Sequence, residues 1–299
     1  MIDTRCVNAL IRFEQAVSSA LQSFSAPTYD NVTITVPRLY HFVSESNTQV
    51  QEDLFATIDL ETYLKARKLT QQQCNRLGKS LGAWTKAFHS WGAAPEQESL
   101  REQMKGNVAM KDLKFWLNYG ASVKSAIDRY SDTLEPCRKV LEEAGTEVEK
   151  GAKTLLHGDF WTGNILLPNK AFPANETALS LHVIDWELSH VGSIVYDLGQ
   201  LIGTLVELSH SRGIKPAEWI VDSFLEGYGR IEEEVAFQIA IHVGAHLICW
   251  IKRGPPTRPP EVMKRGESLL GIGRDFILNG WANDRQFFEG TVLACLFKR

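Results

Sequence analysis

Three short apolar runs, Thr154–Leu156, Ile165–Leu167 and Leu181–Ile184, constrain this chain more than any other feature. Each is joined to a loop residue able to do chemistry. Runs this short, aliphatic and bounded by Gly, Asp and Asn, read as buried strands rather than helices. The first delivers His157 and Asp159 into the loop His-Gly-Asp-Phe-Trp-Thr-Gly-Asn, the second leaves directly after Asn164, and the third ends in Asp185. Clustered strands bring their ends together, so Asp159, Asn164 and Asp185 are expected around one small space.

That trio suits transfer of a phosphoryl group from a nucleotide. The reaction needs a carboxylate to orient the attacking hydroxyl and accept its proton. It also needs an amide oxygen and a second carboxylate to hold Mg²⁺ against the phosphates. Asn164 adds a metal ligand without adding negative charge, Asp185 supplies the charged ligand, and Asp159 is left as the base. His157 suits bracing of the loop by hydrogen bonds better than proton chemistry. A two-metal hydrolase built from His157, Asp159, His182, Asp185 and His190 is disfavoured, because strand alternation turns His182 away from Asp185. His242 and His246 share a helix face at i, i+4 without the glutamate of an H-E-x-x-H zinc motif, and read as structural.

The remaining sequence sorts into a mixed front and a helical back. Residues 7–24 carry apolar positions at helical spacing. Val32–Val36, between Pro27 and Pro37, has the β-branched composition of a strand. Leu39–Val43 and Thr48–Leu54 predict two strands joined by a polar turn. From Asp59 the pattern is helical, with Leu77, Leu81, Trp84 and Phe88 on one face. The polar stretch 92–107 predicts a loop, followed by helices over 108–130 and 132–149. After Asp197 the chain reads as helical to its end except for the Pro-rich stretch 254–260. A chain of 299 residues, 44% hydrophobic, can bury a large core without a staple. Its net charge of −4 gives no electrostatic reason to expect nucleic acid or an anionic membrane. Five scattered cysteines fit a reducing compartment, and no apolar run reaches about 18 residues. A cytoplasmic protein without nucleic-acid or membrane partners is expected.

The pattern His157-x-Asp159-x-x-x-x-Asn164, followed by Ile184-Asp185-Trp186-Glu187 and Tyr196-Asp197-Leu198-Gly199, resembles the aminoglycoside phosphotransferase and choline kinase family. Members of that family are similar in fold to protein kinases but act on small molecules. The resemblance implies that Asp159 is catalytic with His157 beside it, that Asn164 and Asp185 bind Mg²⁺, and that ATP is the nucleotide. It implies that Asp197 buttresses the catalytic loop, and the residue also reads as a helix N-cap. Val36–Phe42 and Thr48–Leu54 resemble the strand pair leading to the interlobe hinge, which makes Gln51, Glu52, Asp53 and Leu54 candidates for nucleotide contact. Gly78-x-x-x-Gly82 with His89 resembles the long helix behind the site, its glycines read as close helix packing. Glu187 is a candidate to receive a cationic substrate; Trp161 and Trp186 either wall a pocket or pack under the loops.

The front of the chain departs from the family. No glycine precedes Gly78 and no lysine precedes Lys65, so the glycine-rich hairpin and the phosphate-holding strand lysine have no counterpart. Glu14 matches the helix glutamate that pairs with that lysine; Arg5 and Arg12 are the basic residues near it. A shortened chain and a naturally reduced family member both account for this. The expected fold is α+β, a protein-kinase-like two-lobed arrangement. Its truncated small N-terminal lobe spans residues 1–54 and ends in the hinge; residues 55–299 form a large, mainly helical catalytic lobe. The expected activity is ATP- and Mg²⁺-dependent phosphorylation of a small-molecule hydroxyl, as in aminoglycoside phosphotransferases. The alternative is a catalytically impaired, kinase-like binding or interaction protein. The acceptor is not legible, because such folds host many alcohols.

Overall fold

A computed structural model describes residues 4–173, 177–252 and 260–298. The helix break expected at 254–260 lies, apart from Pro260, outside the described residues, as does the side chain of Arg5. Helix α1 (Thr4–Leu21) opens the chain and buries Val17 and Leu21. Strand β1 (Val32–Thr35) follows. Strands β2 (Leu39–Val43) and β3 (Thr48–Gln51) then form the expected hairpin as an antiparallel two-stranded ribbon. Strand β4 (Thr57–Asp59) runs into helix α2 (Leu60–Ala66), where Asp59 caps the helix by accepting the N–H of Thr62.

The apolar runs singled out in the sequence are strands β5 (Thr154–Leu156), β6 (Ile165–Pro168) and β7 (Leu179–Val183). A four-stranded sheet has the order β1-β7-β6-β4, with β1 parallel to β7 and the other pairs antiparallel. Strand β5 pairs separately with β8 (His190–Gly192). A strand from the front of the chain thus stabilises the strand that leads to Asp185. His182 turns away from Asp185, as alternation requires, and its Nδ1 lies 3.0 Å from the Thr35 hydroxyl.

Helix α3 (Gln71–Ala93) begins on a capping box made by Thr70 and Gln73. Its buried face, Leu77, Leu81, Trp84 and Phe88, supports the site from below. Arg76 on the same helix is buried and donates to the carbonyls of Asp30 (2.9 Å) and Thr177 (2.6 Å), tying the approaches to β1 and β7 onto α3. The middle of the chain forms α4 (Glu98–Lys105), α5 (Val108–Asn118), α6 (Ala121–Arg129), α7 (Ser131–Leu134) and α8 (Cys137–Lys150). Two sequence expectations are corrected here. The polar stretch 92–107 contains α4, held by the ion pairs Glu98–Arg101 and Glu102–Lys105 and by Arg101 donating to the carbonyls of Gly92 and Ala94 at the end of α3. The two long helices expected after it are broken at Tyr119–Gly120 and again before Pro136.

Helices α9 (Val195–Arg212), α10 (Lys215–Tyr228), α11 (Glu233–Lys252), α12 (Pro260–Trp281) and α13 (Arg285–Glu289) complete the helical part. Helix α10 lies so close on α3 that a Cβ at Gly78 would collide with Ser223, and one at Gly82 with the carbonyl of Phe224. The glycines serve close helix packing, as expected. Burial pushes the thiols of Cys74 and Cys137 up to about 12, which keeps them inert. Among the described residues no helix is long and apolar enough to cross a membrane.

Candidate active site

The loop between β5 and β6 hangs from Asp197. This residue lies in the first turn of α9, 1% exposed, and its carboxylate does not cap its own helix, which corrects the N-cap reading. Oδ2 accepts the N–H of His157 and Oδ1 that of Gly158, both at 2.9 Å. Nε2 of His89 on α3 stands 3.1 Å from Oδ2, and its Nδ1 is 3.0 Å from the Tyr228 hydroxyl. Burial alone would raise Asp197, but the hydrogen bond with His89 and that of the Gly158 N–H hold it down to about 2. Gly158 takes a φ of +83°, and a Cβ there would collide with the Leu188 carbonyl, so the turn after His157 requires glycine.

His157 braces the loop. Its Nδ1 accepts the N–H of Asp159 at 3.2 Å, so its Nε2 carries the proton and donates to the Ile184 carbonyl at 2.9 Å. Burial pushes the imidazole pKa down, in keeping with this neutral tautomer. The ring lies 4.4 Å from the Trp186 ring. Trp186 is itself buried against Phe88 and Trp84, so it packs under the loop. Trp161 is half-buried over Gly163.

The structure brings Asp159, Asn164 and Asp185 together. Asn164 Nδ2 donates to the Asp159 carbonyl (2.9 Å) and reaches its Oδ2 (3.3 Å). The Asn164 carbonyl accepts the N–H of Ile184 at 3.0 Å, and its side chain also hydrogen-bonds Asp185. Asp185 has a φ of +68°, a left-handed conformation that a non-glycine residue adopts at some cost. Although exposed, its carboxyl is desolvated by the protein around it and faces the charges of Glu187 and Asp159, which together push it up to about 6. Glu14 of α1 is raised by burial and by the charges of Asp185 and Glu187, and accepts a hydrogen bond from Gln49 Nε2 at 2.9 Å. Negative charge is therefore in surplus. Among the described residues no three His, Cys, Asp or Glu side chains form a cage for a metal. One carboxylate beside an amide oxygen fits Mg²⁺ instead, an ion that completes its shell with water and phosphate oxygens.

The expected hinge lies at the end of β3. Gln51 Nε2 donates to Gln49 Oε1 at 3.1 Å. Glu52 exchanges hydrogen bonds with the Arg38 backbone, and its charge reaches His182 on β7. Leu54 offers its carbonyl to the Thr57 hydroxyl at 2.8 Å. Among the described residues the peptide N–H groups of Asp53 and Leu54 have no protein partner.

Two side chains at the site escaped sequence reasoning. Gln200 Nε2 donates to Asp159 Oδ1 at 2.6 Å, and Lys114 Nζ donates to Gln200 Oε1 at 2.5 Å. Gln200 lies one helical turn beyond Asp197, which was a usable signal. Lys114 arrives from α5, remote in sequence.

With that geometry in place, the comparison with protein families is decisive: a model of the phosphotransferase enzyme family matches residues 7–237. The chain belongs to that family. Among this chain's relatives, the phosphotransferase FrzJ of Cladobotryum sp. is 29% identical over 282 residues, covering 90% of this chain and 72% of the relative. The 4-hydroxytryptamine kinase of Psilocybe cyanescens is 24% identical, covering 84% of this chain and 70% of the relative. An ethanolamine kinase of Plasmodium vivax is similar in structure at a TM-score of 0.50 and 15% identity, covering 88% of this chain and 72% of that one. That likeness shows the fold, a mixed, largely helical kinase-like architecture.

Proposed function

We propose that this phosphotransferase moves the γ-phosphoryl group of ATP, with Mg²⁺, to a hydroxyl of a small molecule. Asp159 orients the acceptor hydroxyl through Oδ2 and takes its proton as the oxygen bonds to phosphorus and ADP leaves. Asn164 and Asp185 would hold the metal, which when bound would neutralise phosphate charge. Asp197, His89 and His157 keep the loop in position, and the free N–H groups of Asp53 and Leu54 are suited to the adenine edge. One observation carries the reading above the rest. The carboxylate of Asp159 and the amide of Asn164, on a loop clamped to the core, form one hydrogen-bonded set with the carboxylate of Asp185 at the end of β7. Acidic Glu14 and Glu187 at the same cleft favour an acceptor that carries an amine, as the name of the 4-hydroxytryptamine kinase does for that relative.

A second reading, a kinase-like binding protein, rests on Glu14 being met by Gln49. The test has two stages. Mg²⁺ and ATP at millimolar concentration should raise the melting temperature of the purified chain by several degrees, because a ligand that binds the native state stabilises it by mass action. ATP should then phosphorylate at least one of 4-hydroxytryptamine, ethanolamine, 1-amino-2-propanol or kanamycin, with the product identified by mass spectrometry. Binding without transfer to any acceptor, or no nucleotide-dependent rise in a well-folded sample, favours the second reading and rejects the first.

A further inference from the structure

We propose that Lys114 and Gln200 form a buried relay that positions Asp159, fixing Oδ1 so that Oδ2 is left to the acceptor hydroxyl. The inference rests on the reading that Asp159 orients that hydroxyl, and it adds two residues from outside the recognised motif. An ammonium group has only donors, so Gln200 must turn its Oε1 toward Lys114 and its Nε2 toward Asp159. The opposite amide orientation would set a carbonyl oxygen against a carboxylate oxygen and an N–H₂ against an ammonium. Lys114 therefore decides which end of Gln200 the carboxylate meets.

The geometry is confined. The Lys114 side chain is 4% exposed and Gln200 is 7% exposed, so water does not replace either partner. Lys114 Nζ also lies 3.9 Å from Asp159 Oδ1, which places the cation close enough to hold the carboxylate without occupying Oδ2. Oδ2 has Asn164 Nδ2 at 3.3 Å, a longer and weaker contact than the 2.6 Å bond at Oδ1. A buried cation is a poor device for stability alone, because its desolvation offsets much of what its partners return, whereas removing it by itself leaves Gln200 Oε1 and Asp159 without their cation. Its location beside the carboxylate is what an apolar residue would not reproduce. Lys114 stands on α5 and Gln200 on α9, so the relay joins two helices to the loop that carries Asp159.

The experiment compares Lys114→Met, Gln200→Leu, the double variant and Lys114→Arg. Each is assayed with Mg²⁺, ATP and every acceptor of the panel above that the native chain phosphorylates. Each single loss should lower kcat about 10²-fold, the scale expected of a misplaced catalytic group, with nucleotide affinity unchanged. The double variant should be no slower than the slower single variant, because the pair acts as a unit, and Lys114→Arg, an obligate donor, should recover most of the rate. Native kcat in Lys114→Met, or losses that multiply in the double variant, would overturn the relay. If the native chain phosphorylates no acceptor, the functional reading fails and stability decides the relay by itself. Lys114→Met should then lower the melting temperature less in an Asp159→Asn background than in the native one; an equal fall in both would overturn it.

Discussion

A fully buried carboxylate that remains ionised has to be surrounded by donors, and Asp197 meets two peptide N–H groups and His89. Its pKa of about 2 lies below the ordinary aspartate value, so its contribution to stability is present above about pH 4 and is lost as pH falls toward 2. The shift corresponds to about 2 kcal/mol. Asp197→Asn cannot ionise and turns either an amide N–H₂ or a single weaker oxygen toward those donors. It is expected to lose about 2–3 kcal/mol at pH 7 and to show less acid sensitivity between pH 4 and 2, both read from urea unfolding. Gly158→Ala places a side chain at φ +83° against the Leu188 carbonyl, and should cost about 1–3 kcal/mol in the same assay. At this scale the sequence was informative about role and mistaken about mechanism. The spacing from Asp185 to Asp197 marked a loop buttress through family resemblance. The N-cap reading failed because the carboxylate is drawn away from its own helix by stronger, fully buried partners.

Elements were legible where the signal is local. Strands β5, β6 and β7 and the β2–β3 hairpin follow from short β-branched and aliphatic runs between turn formers, and α3 from its four-residue apolar stripe. Helix α4 escaped because its apolar signal is one i,i+4 pair, Leu100 and Met104 against the core, set among charged and polar residues; ion pairs and Arg101 gripping the end of α3 add to it. Nor did propensity reveal the break after α5, where Tyr119 is buried and its hydroxyl lies 2.8 Å from His242 Nδ1 on α11. The α3–α10 contact gives the sharpest element-scale prediction. Gly82→Ala gains about 1 kcal/mol of helix propensity, but its methyl group meets the backbone carbonyl of Phe224, which no side-chain rotation relieves. Overpacking wins, and a net loss of about 2 kcal/mol is expected from urea unfolding. A stabilised variant would show that the two helices separate readily.

Across the whole molecule, the site exists because remote segments meet. Asp159 and Asn164 belong to one loop, Asp185 follows β7, Glu14 comes from α1, Gln200 from α9 and Lys114 from α5. The first three were legible as a motif because a loop and the next strand end are close in the chain. Lys114 was not, because nothing local to α5 announces that its ammonium will be buried beside Gln200 and Asp159. The same division orders the consequences of mutation. Asp185→Ala removes the carboxylate proposed to hold the metal and should abolish the Mg²⁺-dependent rise in melting temperature with ATP, whereas Asp159→Asn should leave that rise nearly intact. The central claim is that Asp159 handles the acceptor while Asn164 and Asp185 handle the metal. Its most direct test is single-turnover transfer of the γ-phosphoryl group by Asp159→Asn, at saturating Mg²⁺ and ATP, to an acceptor that the native chain phosphorylates. The expected result is a transfer rate about 10²–10⁴-fold below that of the native chain; a variant that transfers at the native rate would contradict the account.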